Sequence, residues 1–356
     1  MSTPARTPRR RAAIVTTVAV GALALLAAAC SNDASTRAGA ETGPTTTAAP
    51  VSTVGTIPAG TTLRVGDQLD YLKTVLATAS QDKDLPYTVE YSSFVGGPPM
   101  LQAFQGGALD TGFVGSTPLI FAQAAGQSLV AVAGWAPEKG FGGLITADPS
   151  ITGWGALKGK RVAYQRGTAS EASLLQGLDA AGLQLSDVTT VDVPITQVAA
   201  ALKGGSADAG VSTEPLISRY LADTPGGRKA AGANEVTDRT SFLIASADTL
   251  ADPARSAALA DYLTRLVKSF DYLAANRDQL ARSVFVKQYG LTPEQATALA
   301  EATGPARFIE LPGDVLEPQQ RLAELFAEAG QIPTEVDVRR EFDTRFNDLV
   351  KGAQGS

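Results

Sequence analysis

The sequence predicts an α/β protein with parallel-rich sheets and a helical C-terminal region. Three observations carry this expectation. From Leu63 onward, short runs rich in Val, Ile, Leu and Tyr alternate with longer segments of helical spacing. One strand-to-helix passage after another holds Gly, Pro, Ser or Thr, the residue types that open helices. After about residue 253 the chain is mostly helical, with Leu259, Tyr262, Leu263, Leu266, Val267, Phe270 and Leu273 forming one apolar stripe.

In chain order, LRVGD (63–67) reads as a strand, DYLKTVLATAS (70–80) as a helix and YTVEY (87–91) as a strand. PPMLQAFQ (98–105) is a helix ended by Gly106-Gly107. GFVGSTPLIFA (112–122) breaks at a glycine, passes two hydroxyls and a proline, and resumes as helix. LVAVAGW (129–135) and GLITA (143–147) are strands. A second set follows with RVAYQ (161–165), SEASLLQGLDAAG, VTTVDVP, TQVAAALKGG and AGVST (209–213), and SFLIAS (241–246) is one more strand. Repeated β-α-β units imply parallel sheets covered by helices on both faces. The two sets are similar in layout, but no convincing internal sequence repeat is found, and the late apolar stripe reads as core.

Composition excludes several functions. The formal net charge is −6, and the four arginines of residues 1–29 leave an even more acidic remainder, a poor partner for nucleic acid. There is no histidine, which removes the usual general base and the commonest zinc ligand. A single cysteine allows no intrachain disulfide and no Cys-rich metal site. No catalytic residue, metal or cofactor is therefore expected.

That cysteine follows Arg9-Arg10-Arg11, an apolar run from Ile14 to Leu26, and Ala27-Ala28-Ala29. A basic start, an apolar middle and small residues describe an export signal over residues 1–29. The position of Cys30 resembles the lipobox of bacterial lipoproteins, with Leu26 four residues before the cysteine rather than three. The resemblance implies lipidation of Cys30 and a place on the extracytoplasmic face of the cell membrane; an uncleaved membrane anchor gives the same side. Residues 30–60, poor in large apolar side chains, are expected to form a flexible tether.

Ligands of open parallel sheets lie beyond the carboxyl ends of the strands. There the chain places Gln68, Val95-Gly96-Gly97-Pro98-Pro99, Ser116-Thr117-Pro118, Arg166-Gly167-Thr168-Ala169-Ser170-Glu171 and Ser212-Thr213-Glu214-Pro215. Helix first turns carry outward amides with partial positive charge, each contributing about 0.3–1 kcal/mol toward an anion. Each loop alone is also an ordinary cap, and Thr168 with Glu171 has capping-box spacing. Arg166 is the one cation beside these loops.

Residues 94–126, FVGGPPMLQAFQGGALDTGFVGSTPLIFAQAAG, resemble the aliphatic sulfonate-binding proteins of ABC importers and their taurine- and nitrate-binding relatives, as do residues 154–188 and 316–333. The resemblance spans roughly residues 62–335. It implies a two-lobed periplasmic-binding-protein (type II) fold, with 61–149 and 240–356 as lobe 1, 150–239 as lobe 2, and hinges near 148–152 and 237–242. Gln68, Gly97, Pro98, Ser116, Thr117, Thr168, Ser170 and Thr213 would line the pocket, with Arg166 as a candidate anion contact. The implied partners are a small organic anion, a sulfonate first, and the permease subunits of an importer. Nitrate, a carboxylate or a thiamine-precursor pyrimidine are the alternatives. A desulfinase-like enzyme would need Cys or His chemistry, whereas this chain has no His and its only Cys lies in the signal region, and an adhesive lipoprotein would need no polar cleft. Thr213-Glu214-Pro215 stands where relatives often carry an aromatic residue followed by Asp-Pro.

Overall fold

The first βα set folds as its alternation requires. In a computed structural model, which describes residues 49–140, 142–230, 239–333 and 336–355, strand β1 (Thr62–Gln68) leads into helix α1 (Tyr71–Thr78). Then come β2 (Thr88–Phe94), α2 (Gly97–Gln105), β3 (Thr111–Gly115), α3 (Ser116–Ala124) and β4 (Leu129–Pro137). Strand β5 (Gly142–Thr146) opens the second set. It continues through β6 (Arg161–Tyr164), α4 (Ala169–Ala180), β7 (Thr189–Asp192), α5 (Val198–Lys203), β8 (Ala209–Thr213), α6 (Leu216–Asp223) and β9 (Arg228–Lys229). The chain then returns through β10 (Ser241–Ser246), α7 (Ala247–Ala251), α8 (Pro253–Ala275) and α9 (Arg277–Leu280) to a π-helical stretch, Ala281–Gln288. α10 (Pro293–Thr303), β11 (Ala306–Ile309), α11 (Leu316–Glu328) and α12 (Asn347–Ala353) complete it.

These strands make two sheets, ordered β11-β4-β10-β3-β1-β2 and β7-β6-β8-β5-β9. β1 lies parallel to β2 and β3, and β6 parallel to β7 and β8, as βαβ crossovers demand. β10 runs antiparallel between β3 and β4, and β5 antiparallel beside β8, so each sheet is mixed. The late apolar stripe is core: Leu259, Tyr262, Leu263, Leu266, Val267, Phe270 and Leu273 are buried on α8 in one cluster with Leu63, Val65 and Trp135.

The two sets are copies in geometry, contrary to the absence of a convincing repeat in sequence. At the start of β1, the Arg64 backbone N–H and Nε donate to Asp110 Oδ2 (2.8 and 3.0 Å), and its Nη2 to Oδ1 (2.7 Å). At the start of β6, Arg161 does the same to Asp208 at 2.8, 3.1 and 2.6 Å. A second glycine pair follows the same logic. A Cβ on Gly112 of β3 would stand 2.8 Å from the Gly66 carbonyl, and one on Gly210 of β8 would stand 2.5 Å from Val198 Cγ1 of α5. Close helix-to-sheet or strand-to-strand packing needs a missing side chain at both places.

Three sequence expectations change. Gly142–Thr146 belongs to the smaller sheet, so the chain crosses between sheets just after Pro137 rather than near 148–152. The 148–152 turn is anchored instead: Ile151 is buried, Lys160 reaches Asp148 at 3.3 Å, and Arg228 donates to the Asp148 and Ile151 carbonyls. The return crossing lies between Lys229 and Ser241; of the expected 237–242 hinge, 237 and 238 fall outside the described residues. The end of the expected tether is docked, because the Val51 N–H donates to the Arg345 carbonyl (2.7 Å) and Val51 and Ile57 pack on the main core. The rest of that tether, the export signal and Cys30 lie outside the described residues. Finally, β11 interrupts the helical C-terminal region, pairing antiparallel with β4.

The duplicated ion pair should be worth different amounts in its two copies. Asp110 is 1% exposed and also serves Arg255 at 3.1 Å, whereas Asp208 is 27% exposed with one arginine. Asp110→Ala should cost about 3–5 kcal/mol in urea denaturation, and Asp208→Ala about 1 kcal/mol.

Candidate functional site

Three of the loops picked out from sequence, those of Gly97, Pro118 and Gly167, meet through backbone-close contacts. Gly97, the first residue of α2, is buried against α3: a Cβ there would stand 2.8 Å from Pro118 Cβ. The next residue, Pro98, reaches the other lobe, with its Cγ 3.5 Å from where a Gly167 Cβ would be. Gly167 has φ +71°, left-handed backbone that favours glycine. Around this junction is a cavity of about 350 Å³, lined by Pro98, Leu101, Phe121 and Gln127 on one side and Arg166 and Gly167 on the other. That is the scale of a small-molecule site.

The structure sorts the expected residues into distinct roles. Pro98 and Arg166 line the cavity; Gly97 fixes the contact beside it. Ser116 and Thr117 open α3 and are 2% and 0% exposed, and Thr117 Oγ1 has no hydrogen-bond partner among the described residues. Pro98 and Pro99 carry no N–H, which removes two first-turn donors from α2, so α3 is the richer helix end. Gln68 spends its amide on the Phe113 carbonyl (2.8 Å), tying the end of β1 to β3. The lobe 2 hydroxyls are committed locally. Thr168 Oγ1 donates to the Gln165 carbonyl (2.8 Å) and accepts from Ser170 N–H (3.2 Å), and Ser170 Oγ donates to the Val211 carbonyl (2.7 Å). Thr213 ends β8 opposite Gly142.

The expected Thr168–Glu171 capping box is not reciprocal. Thr168 caps through Ser170 N–H, while Glu171 Oε2 accepts from Gly167 N–H at 2.7 Å, one residue earlier. Glu171 thereby buttresses the glycine that touches Pro98. Glu214 is nearly buried rather than solvated. It accepts from the Ser218 N–H and Oγ (3.0 and 2.7 Å) and faces Lys229 at 3.6 Å, capping α6.

The electrostatics centre on Arg166. Its backbone N–H donates to Asp192 (3.1 Å), while its exposed guanidinium has no ion pair among the described residues. Burial pushes the Glu171 carboxyl up to about 7, against the pull of the Gly167 N–H and Arg166. No group of three or more His, Cys, Asp or Glu side chains able to hold a metal occurs among the described residues. What remains is one free cation, a proline-limited pair of helix starts and an apolar wall. Such a surface has the chemistry to suit an anion with an organic tail.

Beside the cavity the lobes meet on an apolar seam. Ile120 of α3, Ala172 and Leu175 of α4, and Leu322 and Phe326 of α11 form one buried cluster, and Arg321 of α11 pairs with Asp179 of α4 at 3.0 Å. Leu101, Phe121 and Gln127 were not singled out from sequence, because an apolar helix position or a residue after a C-terminal glycine looks the same in a core or at a rim. The glycine of the Arg166-Gly167-Thr168 loop was the usable signal.

A family described as NMT1/THI5-like matches residues 96–221, which span both helix starts and the Arg166 loop. An aliphatic sulfonates-binding protein of Escherichia coli (strain K12) is 29% identical over 282 residues, covering 78% of this chain and 87% of the relative. The crystal structure of the periplasmic aliphatic sulphonate binding protein from Escherichia coli superposes with a TM-score of 0.70 at 28% identity, covering 80% of this chain and 92% of that one. The chain resembles the NMT1/THI5-like family over residues 96–221 and has the periplasmic-binding-protein fold. The alkanesulfonate-binding protein from Xanthomonas axonopodis pv. citri, bound to MOPS, superposes on this chain with a TM-score of 0.70 at 26% identity, covering 81% of this chain and 99% of that one.

Two outcomes follow for the loops around the cavity. Gly97→Val should cost about 1–3 kcal/mol in denaturant unfolding, because the added side chain must displace the Pro118 ring. Glu171 in the folded state holds its proton up to about 7, against 4.5 for the ordinary carboxyl, so its contribution to stability declines as pH rises from about 4.5 to about 7. Glu171→Gln should therefore gain on wild type across that window, by about 1–3 kcal/mol at pH 8, in paired unfolding curves.

Proposed function

We propose that the protein is the extracytoplasmic receptor of an ABC importer, lipid-anchored at Cys30, and that it captures a small organic sulfonate between its two lobes. The observation that carries this reading is the cavity shared by Pro98, Leu101, Phe121 and Gln127 of one lobe and the unpaired Arg166 of the other. The similar proteins, aliphatic sulphonate- and alkanesulfonate-binding, support the same ligand class.

In this reading the sulfonate accepts two N–H donors of Arg166, a geometry the planar guanidinium favours. The Ser116 and Thr117 end of α3 adds partial positive charge and the Thr117 hydroxyl, and the organic tail lies against Pro98, Leu101 and Phe121. Micromolar affinity requires about 8 kcal/mol, and a charged hydrogen-bonding group supplies about 1.5–3 kcal/mol of it. Closure turns on the two crossings between sheets, and the ligand favours it by contacts that exist only when the lobes meet. The closed form docks on the permease. Binding without catalysis fits a site whose polar groups are an arginine, hydroxyls and amides.

Calorimetry with a panel of alkanesulfonates, taurine, nitrate and carboxylates tests the reading. A sulfonate should bind, and Arg166→Ala should weaken it by about tenfold to a hundredfold without changing the melting temperature of the free protein. Unchanged affinity in Arg166→Ala, or binding confined to the other anions, overturns it.

A further inference from the structure

Behind the opening turn of α3 lies a buried polar chain that no part of the proposed binding reaction uses. Gln319 of α11 is 2% exposed, and its Nε2 donates in two directions: to the Ser116 carbonyl at 3.2 Å and to Glu341 Oε2 at 2.7 Å. Glu341 is 1% exposed, and its other oxygen, Oε1, has no hydrogen-bond partner among the described residues. A carboxyl that reaches the interior with half its capacity unused is costly to keep, so this one marks a constraint other than packing.

We infer that Gln319 and Glu341 are positioning residues for the anion-binding end of α3, and that binding is tight only while Glu341 is neutral. This rests on the reading that an anion sits at that helix end beside Arg166. The Ser116 carbonyl and the Thr117 N–H belong to one peptide group. A donor on the carbonyl side polarises the N–H side, making Thr117 a better donor to an anion. Neutral Glu341 extends that chain without adding charge, whereas ionised Glu341 places a full negative charge behind the helix start and opposes the ligand.

Among the described residues, Glu341 has no counter-charge. The segment Val338–Glu341 packs on α3 (STPLIFAQA) and β4 (LVAVAGWAP), neither of which has a titratable side chain. On α11, Glu317, Arg321 and Glu328 are exposed, and Arg321 is occupied by Asp179, Glu324 and Glu328. On its own segment, Arg339 and Arg340 are exposed and Arg339 pairs with Asp337. Burial accordingly pushes Glu341 up to about 8, against the pull of the Gln319 amide.

Calorimetric titration of butanesulfonate into wild type, Glu341→Gln and Gln319→Met, from about pH 6.5 to about pH 9, tests the inference. Wild-type affinity should fall as pH rises through about 8, by about fivefold. Glu341→Gln keeps the shape and cannot ionise, so it should lose that step while retaining any earlier one due to Glu171. Gln319→Met should bind about fivefold more weakly at pH 7, with circular dichroism reporting an intact fold. If Gln319→Met does not fold, Glu341→Gln still decides, since a purely structural role would change the melting temperature and leave the pH profile of affinity alone. A step at pH 8 that persists in Glu341→Gln overturns the inference while leaving the sulfonate site standing. Failure of wild type to bind butanesulfonate, with Arg166→Ala indistinguishable from it, overturns both.

Discussion

The site depends on the absence of one side chain. Gly97 lets the start of α2 lie against Pro118, and that contact brings two helix starts of one lobe within reach of each other. Pro98 then touches Gly167 of the other lobe, so three loops from two sheets converge by backbone proximity alone. A Cβ at Gly97 would separate the helices, and a β-branched residue at Gly167 would be forced into left-handed backbone that such residues resist. The cavity is what remains around this junction, and its lining follows: Pro98 without an N–H group, an aromatic edge from Phe121, and Arg166.

Charge is handled differently on the surface and inside. The arginines that hold the strand starts, Arg64 and Arg161, are matched by carboxylates on three hydrogen bonds each. The carboxyls behind the binding loops are buried with a single class of donor. Asp67 takes the Leu72 and Lys73 N–H groups and is pushed up to about 6 by burial, Glu171 takes Gly167 N–H, and Glu341 takes the Gln319 amide. Asp67 and Glu171 stabilise a helix start or loop that would otherwise have orphan donors, and all three carboxyls are desolvated in the process.

The duplicated architecture was hidden for a related reason. What the two lobes share is an arginine at a strand start, a Gly-Gly turn and an aspartate that closes on the arginine from 46 or 47 residues away. These few positions are separated by helices whose surfaces diverge freely, so similarity in the sequence is too sparse to read, while the hydrogen bonds are the same. The seam of α3, α4 and α11 has no counterpart of this kind, because it joins the lobes and is not repeated within them.

From residues alone came the alternation of strands and helices, the buried stripe of α8 and, of the cavity lining, Pro98 and Arg166. These are local properties, set by hydrophobic period and by the few residues that tolerate a tight strand-to-helix turn. Tertiary structure alone decided which hydroxyls stay free: Thr168 and Ser170 are consumed by Gln165, Ser170 N–H and Val211, whereas Thr117 is left unpartnered. It also decided that β5 belongs to the smaller sheet, that residues as far along as Gln319 and Glu341 stand behind α3, and that Val51 docks on the core. Each of those facts is a contact between distant parts of the chain, and a hydroxyl or carboxyl carries no mark in sequence of the partner that folding will bring to it.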